Sequence, residues 1–324
     1  MSPEKNTKER ILAVLTVFFL FLIIGALFFS ISVDNKHKTE ILNAKAAKNN
    51  AEKRITENMA KISVATSSPA TSTVSEISAV SYLTIAVADN GLKKVLQQKN
   101  PDYALPIASI TKLMTAVIIL ENTNPNTEVK ATLDYIGQEE SVFVLETDKI
   151  YTVKELLANM LIASDNDSAR LLAGSLGTEN FISKMNNKAQ ELSLTKTYFV
   201  NVTGLDPQKP VVELNISSPN DLANLLIYIK NKHPEILKLT TNATYNFCDV
   251  NNYCKIINNT DKLLGDAGFK FKIIGSKTGS TDVALKNLAL ITTATDNIFL
   301  LNIVLGSKDN FLDTQTLINN IIIN

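Results

Sequence analysis

The chain has 324 residues, 45% of them hydrophobic and 20% charged, enough for one large domain with extensions. Lys and Arg total 32 and Asp and Glu also total 32, so no net charge marks the chain as a nucleic-acid binder. Only two histidines occur, His37 and His233, and the first lies beside an apolar N-terminal segment. A Ser-His-Asp triad or a histidine metal site therefore has one candidate residue at best, and neither metal nor cofactor is expected.

Residues 11–33 carry no charge and are long enough to span a bilayer with some tilt. The stretch exceeds a typical signal-peptide core and lacks a clear small-x-small cleavage site, so it predicts a transmembrane anchor. Lys5, Lys8 and Arg10 precede it against Lys36 and Lys38 after it. That slight excess makes 1–10 a cytoplasmic tail and puts the rest of the chain on the extracytoplasmic side of the cell membrane. Residues 34–81 read as a polar stalk followed, from Ser63, by a Ser/Thr-rich linker. The folded domain is expected over 82–324.

Tyr82–Ala88 has the composition of a strand, Asp89-Asn90-Gly91 is a turn signal, and Lys93–Leu96 begins the return strand. Pro106-Ile107-Ala108-Ser109-Ile110-Thr111-Lys112 then opens the apolar run Leu113–Leu120. A helix so apolar must be buried in a sizeable domain. Ser109 and Lys112, three residues apart, share one face of it. Burial lowers a lysine's pKa and fits it to act as a base, and a serine at a helix N-terminus sees the positive end of the dipole. The pair reads as a nucleophile with its activator.

Val153–Ile162 predicts a second helix, which runs into Ala163-Ser164-Asp165-Asn166-Asp167-Ser168-Ala169 at the start of a third. Helix capping alone would account for Ser164. Phe181–Leu192 and Ser218–Lys230 predict further helices. Lys270–Thr281, Leu288–Thr293 and Ile298–Leu305 read as strands, and Phe311–Ile323 as a closing helix. Strands at both ends with helices between give an α+β class, an antiparallel sheet with a helical subdomain. Cys248 and Cys254 flank a hairpin tip, which leaves open whether they pair in a disulfide or stay thiols.

Ser-x-x-Lys occurs three times, at Ser2/Lys5, Ser109/Lys112 and Ser193/Lys196, but only the second opens a buried helix. Followed by Ser164-Asp165-Asn166 and then Lys277-Thr278-Gly279, on helix, loop and strand, it resembles the penicillin-binding-protein and serine β-lactamase set. Within that group the chain resembles the D-alanyl-D-alanine carboxypeptidases of low molecular mass, peptidase family S11. The resemblance rests on Leu105–Ala116, Met185–Leu192, Phe199–Asp206 and Asn259–Leu264, and it spans Tyr82 to the C-terminus.

The resemblance implies a transpeptidase-like fold and a role for each residue. Ser109 attacks the penultimate D-Ala carbonyl, Lys112 takes its proton, and Ser164 relays a proton to the departing D-Ala. Asn166 holds the substrate amide, Lys277, Thr278 and Gly279 receive the terminal carboxylate, and the N–H groups of Ser109 and Ser280 form the oxyanion hole. The implied partners are peptidoglycan stem peptides, with β-lactam antibiotics as acylating inhibitors. Endopeptidase action on cross-links stays open because the bond type is the same. Ser280 departs from the large, aromatic or His residue that often follows Lys-Thr-Gly in the family, while Ser-Asp-Asn in place of the usual Ser-Gly-Asn and Glu213-Leu214-Asn215 carry an alternative, a class A-like β-lactamase. A non-hydrolytic β-lactam or peptidoglycan sensor is a second alternative.

Overall fold

The computed structural model describes residues 3–65, 76–137, 145–207 and 213–323. These fall into two units, Met1–Glu57 and Asn58–Asn324. The first is made of helix α1 (Pro3–Lys61), whose last residues belong to the second unit. Within α1, Leu12–Ser30 has a mean hydropathy of 2.9, none of it buried, and is long and apolar enough to cross a membrane.

The second unit is built on a five-stranded sheet. Its strands are β1 (Ser81–Ala88), β2 (Lys93–Lys99), β3 (Ile273–Thr281), β4 (Leu285–Thr295) and β5 (Ile298–Ser307). The spatial order is β3-β4-β5-β1-β2 with every pair antiparallel, so segments from both ends of the unit complete one sheet. Between β2 and β3 the chain forms α2 (Lys112–Asn122), α3 (Val153–Ile162), α4 (Asn166–Gly174), α5 (Thr178–Glu191), α6 (Pro219–Lys232) and α7 (Pro234–Thr240). Helix α8 (Asn310–Asn319) follows β5.

Both faces of the sheet are covered. Leu83, Ile85 and Val87 of β1 and Phe299, Leu301, Ile303 and Leu305 of β5 join the main core with α2, α3 and α4. On the opposite face Leu288 and Leu290 of β4 meet Ile318 of α8, and Val304 of β5 meets Leu317. This is why β5 is buried at all ten positions, where a half-solvated strand would alternate. Helix α2 is buried from Lys112 to Ile119, the environment its apolar run demands. Each buried Leu, Met, Val or Ile side chain of that run is worth about 1.5–3 kcal/mol, so α2 is a firm foundation for what it carries.

Three features depart from the sequence reading. The compact unit begins at Asn58, upstream of the expected start at Tyr82. Met59 and Ile62 are buried, and Lys94 Nζ donates to the carbonyls of Met59 (3.1 Å) and Ile62 (2.6 Å), satisfying the end of α1. The expected closing helix over Phe311–Ile323 stops at Asn319, and Ile321–Ile323 forms a strand antiparallel to Ile62–Val64. Three consecutive β-branched residues favour that extended backbone. Helix α7 was not anticipated. Its Thr240 Oγ1 accepts from the Ser276 N–H at 3.0 Å and so supports β3 one residue before Lys277. Cys248 and Cys254, left open by the sequence, form a disulfide across the hairpin Thr244–Cys248/Cys254–Asn258.

Candidate active site

Leu105–Pro106 pairs with Ile216–Ser217, and Ala108–Thr111 then makes a 3₁₀ turn that leads into α2 at Lys112. Side chains three apart eclipse one another in a 3₁₀ turn, which stacks Ser109 directly against Lys112. Lys112 Nζ lies 2.7 Å from Ser109 Oγ, donates to Asn166 Oδ1 at 2.7 Å and donates to the Thr203 carbonyl at 3.0 Å. Lys112 is fully buried, and loss of hydration pushes its pKa well below the ordinary lysine value. The positive charge of Lys277 adds to the depression, Asp165 opposes it and Arg170 lowers it further. A lysine so placed gives up its proton more readily than an exposed one, and when neutral it can keep two N–H donors on Asn166 and Thr203 and accept the proton of Ser109.

Ser164 sits between α3 and α4, where the Asp165 side chain caps α4 by accepting from the Ser168 N–H. Its backbone has φ +60°, a left-handed conformation uncommon for a residue with a side chain. There its Oγ accepts from Lys277 Nζ at 2.9 Å. Lys277 also donates to the Thr278 carbonyl at 3.0 Å. Burial pulls the Lys277 pKa down to about 7, with Asp261 pulling it partly back. Thr278 Oγ1 is 2.5 Å from Thr260 Oγ1, which fixes the Thr278 hydroxyl at the edge of the cleft.

Gly279 explains how strand and turn meet. A Cβ there would stand 2.6 Å from the Ile107 carbonyl oxygen and 3.0 Å from the Ser109 nitrogen. Only glycine lets β3 approach the Ser109 backbone this closely. Ser280 follows on the exposed side. Ser109, Ser164, Thr260, Thr278, Gly279 and Ser280 line one open cavity of about 390 Å³. Lys112, Asn166 and Lys277 stand behind it, so the structure brings together all eight residues singled out in the sequence.

Several supporting residues were missed. Asn215 Nδ2 donates to Thr111 Oγ1 at 2.9 Å and to the Asn201 carbonyl at 2.9 Å, while its Oδ1 accepts from the N–H groups of Val200 and Asn201. Asn201 Oδ1 in turn accepts from the N–H groups of Thr203 (3.1 Å) and Gly204 (2.7 Å), which shapes the loop that offers Thr203 to Lys112. The Asn-x-x-Gly signal for such a turn stands in the sequence at Asn201–Gly204. Glu213 is exposed and lines a separate cavity with Arg170 and Asp206. His233 pairs with Glu121 at 3.2 Å and does not line the Ser109 cavity.

The sequence pattern of the D-alanyl-D-alanine carboxypeptidases, Peptidase S11, matches residues 64–309. The chain belongs to this family. Among S11 relatives, a D-alanyl-D-alanine endopeptidase of Haemophilus influenzae is 35% identical over 61% of this chain and 66% of its own length. The chain thus spans just under two thirds of that curated relative. A D-alanyl-D-alanine carboxypeptidase structure from Mycobacterium tuberculosis superposes with a TM-score of 0.65 at 25% identity, covering 79% of this chain and 93% of that one. The ampicillin-bound penicillin-binding protein D2 of Listeria monocytogenes gives 0.62 at 28% identity, covering 76% and 98%. The fold is therefore the transpeptidase-like fold of the penicillin-binding proteins, and the sheet and helices described above are its S11 version.

Proposed function

We propose that this S11 chain is a serine-type D-Ala-D-Ala carboxypeptidase that trims peptidoglycan stem pentapeptides through an acyl-enzyme on Ser109. The observation that carries the reading is the 2.7 Å contact between Ser109 Oγ and a buried lysine whose pKa is depressed. Neutral Lys112 takes the Ser109 proton as Oγ bonds to the penultimate D-Ala carbonyl carbon. The oxyanion faces the N–H groups of Ser109 and Ser280, and Asn166 holds the substrate amide. Lys277, with Thr278 and Gly279, receives the terminal carboxylate. The C–N bond then breaks, and the proton reaches the departing D-Ala amine through Ser164, whose oxygen Lys277 already orients. Water hydrolyses the ester and restores Ser109.

A β-lactam would acylate the same serine. The segment Leu12–Ser30 would anchor the chain in the cell membrane with the catalytic unit on the extracytoplasmic side. The position of Glu213, away from the Ser109 cavity, weighs against the class A-like alternative. A second reading, an endopeptidase that cuts peptide cross-links, is favoured by the name of the Haemophilus influenzae relative. The full-length chain in detergent tests these readings. Release of D-Ala from a stem pentapeptide by the wild type but not by Ser109→Ala, with slow turnover of a chromogenic β-lactam, is the expected result. Rapid β-lactam hydrolysis with the peptide untouched would sink it.

A further inference from the structure

A second cavity, of about 410 Å³, shares no lining residue with the one at Ser109. Leu120 of α2, Leu157 and Leu161 of α3, and Ile236 and Leu239 of α7 give it apolar walls. Its size is within the range that holds a small ligand. Lys154, Lys238 and Glu235 also line it and all three are exposed, so charge gathers where the cavity meets solvent. Neither lysine side chain has a hydrogen-bond or ion-pair partner among the described residues, whereas Glu235 lies 3.7 Å from His233 Nδ1. Two cations against one anion leave a single net positive charge above an apolar floor.

The elements around this cavity also hold the groups of the Ser109 site. Leu161 stands three residues before Ser164. Leu237 of α7 packs so closely on β3 that a Cβ at Gly275 would fall 2.6 Å from its Cδ2, and Thr240 at the end of α7 accepts from the Ser276 N–H beside Lys277. Asn242, another lining residue, shares the amide of Asn259 with Thr240, because Asn259 Nδ2 donates to both carbonyls at 2.9 Å. The next residue, Thr260, donates its N–H to the Ile162 carbonyl at 3.2 Å and meets Thr278 through its hydroxyl. The walls of the cavity thus fix Ser164, Lys277 and Thr278 relative to one another.

We propose that this cavity binds a medium-chain monocarboxylate, and that its occupancy favours the arrangement in which Lys277 donates to Ser164. The apolar chain lies against the leucines and the carboxylate between Lys154 and Lys238. A single negative charge matches the single net positive charge of the lining, where a dianion would meet Glu235 uncompensated. The cavity is open in the same structure that makes the 2.9 Å hydrogen bond from Lys277 to Ser164. A ligand that fits it therefore stabilises this arrangement over any in which α3 and α7 pack differently. Acylation speeds up as a result, the coupling of two separate sites. The effect on acylation rests on the Ser109 reading above, and the binding does not.

The test titrates the full-length chain, in nanodiscs of zwitterionic phospholipid, with octanoate in a calorimeter. Octylammonium is the charge control and empty nanodiscs give the lipid background. The wild type should bind octanoate, and octylammonium should give no heat above that background. A variant carrying both Lys154→Gln and Lys238→Gln should bind octanoate about tenfold more weakly, since each exposed ion pair contributes up to about fivefold. At an octanoate concentration that half-saturates the wild type, acylation by a chromogenic β-lactam should rise about twofold, and in the double variant by much less. No binding to the wild type, equal binding of octylammonium, or equal affinity of the double variant would overturn the site. Binding that leaves the acylation rate unchanged, or lowers it, would overturn the coupling. A wild type that is not acylated even without octanoate would overturn the Ser109 reading, while the calorimetry still decides the site.

Discussion

Asp206 and Thr281 tie the loop that touches Lys112 to the end of the strand that carries Lys277. Asp206 Oδ1 accepts from Thr281 Oγ1 at 2.7 Å, and Oδ2 accepts from the Val283 N–H at 3.1 Å. In the same loop Thr203 offers its carbonyl to Lys112, and Gly204, at φ +85°, lies where a Cβ would fall 1.9 Å from the Ala108 oxygen. One short segment therefore sets the spacing between Lys112, the serine turn and the strand. Asp206→Ala is expected to slow acylation by a chromogenic β-lactam about tenfold, since small misplacements of reacting groups are costly. Thr281→Val should do less, because the Val283 contact survives. The double variant should be no slower than Asp206→Ala, the mark of a shared interaction. Fully additive losses would show that the two residues act separately.

The pH dependence follows from Lys277. In the role proposed for it, its charged form holds the substrate carboxylate, and burial has brought its pKa to about 7. In the free enzyme kcat/KM for a carboxylate-bearing peptide should therefore fall as pH rises through about 7. Bound carboxylate favours the ammonium, so the fall in kcat should come at higher pH. Loss of the Lys112 proton, which burial eases, should add a rising limb at a pH below the ordinary lysine range. Lys277→Arg stays charged throughout and should remove the fall in kcat/KM, whatever its effect on the maximum. A pH–rate profile for both proteins checks this, and a fall retained by the arginine variant would assign it to another group.

Much of this site was legible in the sequence for identifiable reasons. Ser109 and Lys112 stood out because an apolar run forces burial, and burial gives a lysine a base's pKa. Lys277 and Gly279 were read through a motif whose physical basis is a buried cation and a close backbone approach. Thr203 was not legible, because it acts through a backbone carbonyl, which every residue has, on a lysine 91 positions away. Asp206 and Asn215 likewise work through partners 75 and 104 residues distant. The strand Ile321–Ile323 was read as helix because its partner, Ile62–Val64, lies at the other end of the unit.

Gly279 offers a sharp steric test. Its neighbours at 2.6 and 3.0 Å are backbone atoms of Ile107 and Ser109, which cannot rotate aside as a side chain would. Gly279→Ala should force β3 away from the serine turn and lower β-lactam acylation by about a hundredfold. The cost in stability should stay near that of ordinary overpacking, about 1–3 kcal/mol. Gly265, whose Cβ position meets nothing within 4 Å, supplies the control. Gly265→Ala should acylate at the wild-type rate. Stopped-flow acylation and thermal melts of the two variants separate a lost site from a lost fold.

The pairing of Ile62–Val64 with Ile321–Ile323 makes the start of the catalytic unit part of its fold. Ile62 is fully buried, Ala65 N–H donates to the Asn320 carbonyl at 2.8 Å, and Lys94 holds the carbonyls of Met59 and Ile62. Truncating a buried isoleucine leaves a cavity and costs about 2–5 kcal/mol. For a unit of this size Ile62→Ala should lower the Tm by roughly 4–20 °C, at about 2–4 °C per kcal/mol. Leu42, 65% exposed on α1, provides the contrast, and Leu42→Ala should leave the Tm in place. Differential scanning calorimetry of the full-length chain decides the matter. If Ile62→Ala melts with the wild type, these residues are tether alone, and the cooperative unit begins nearer Tyr82.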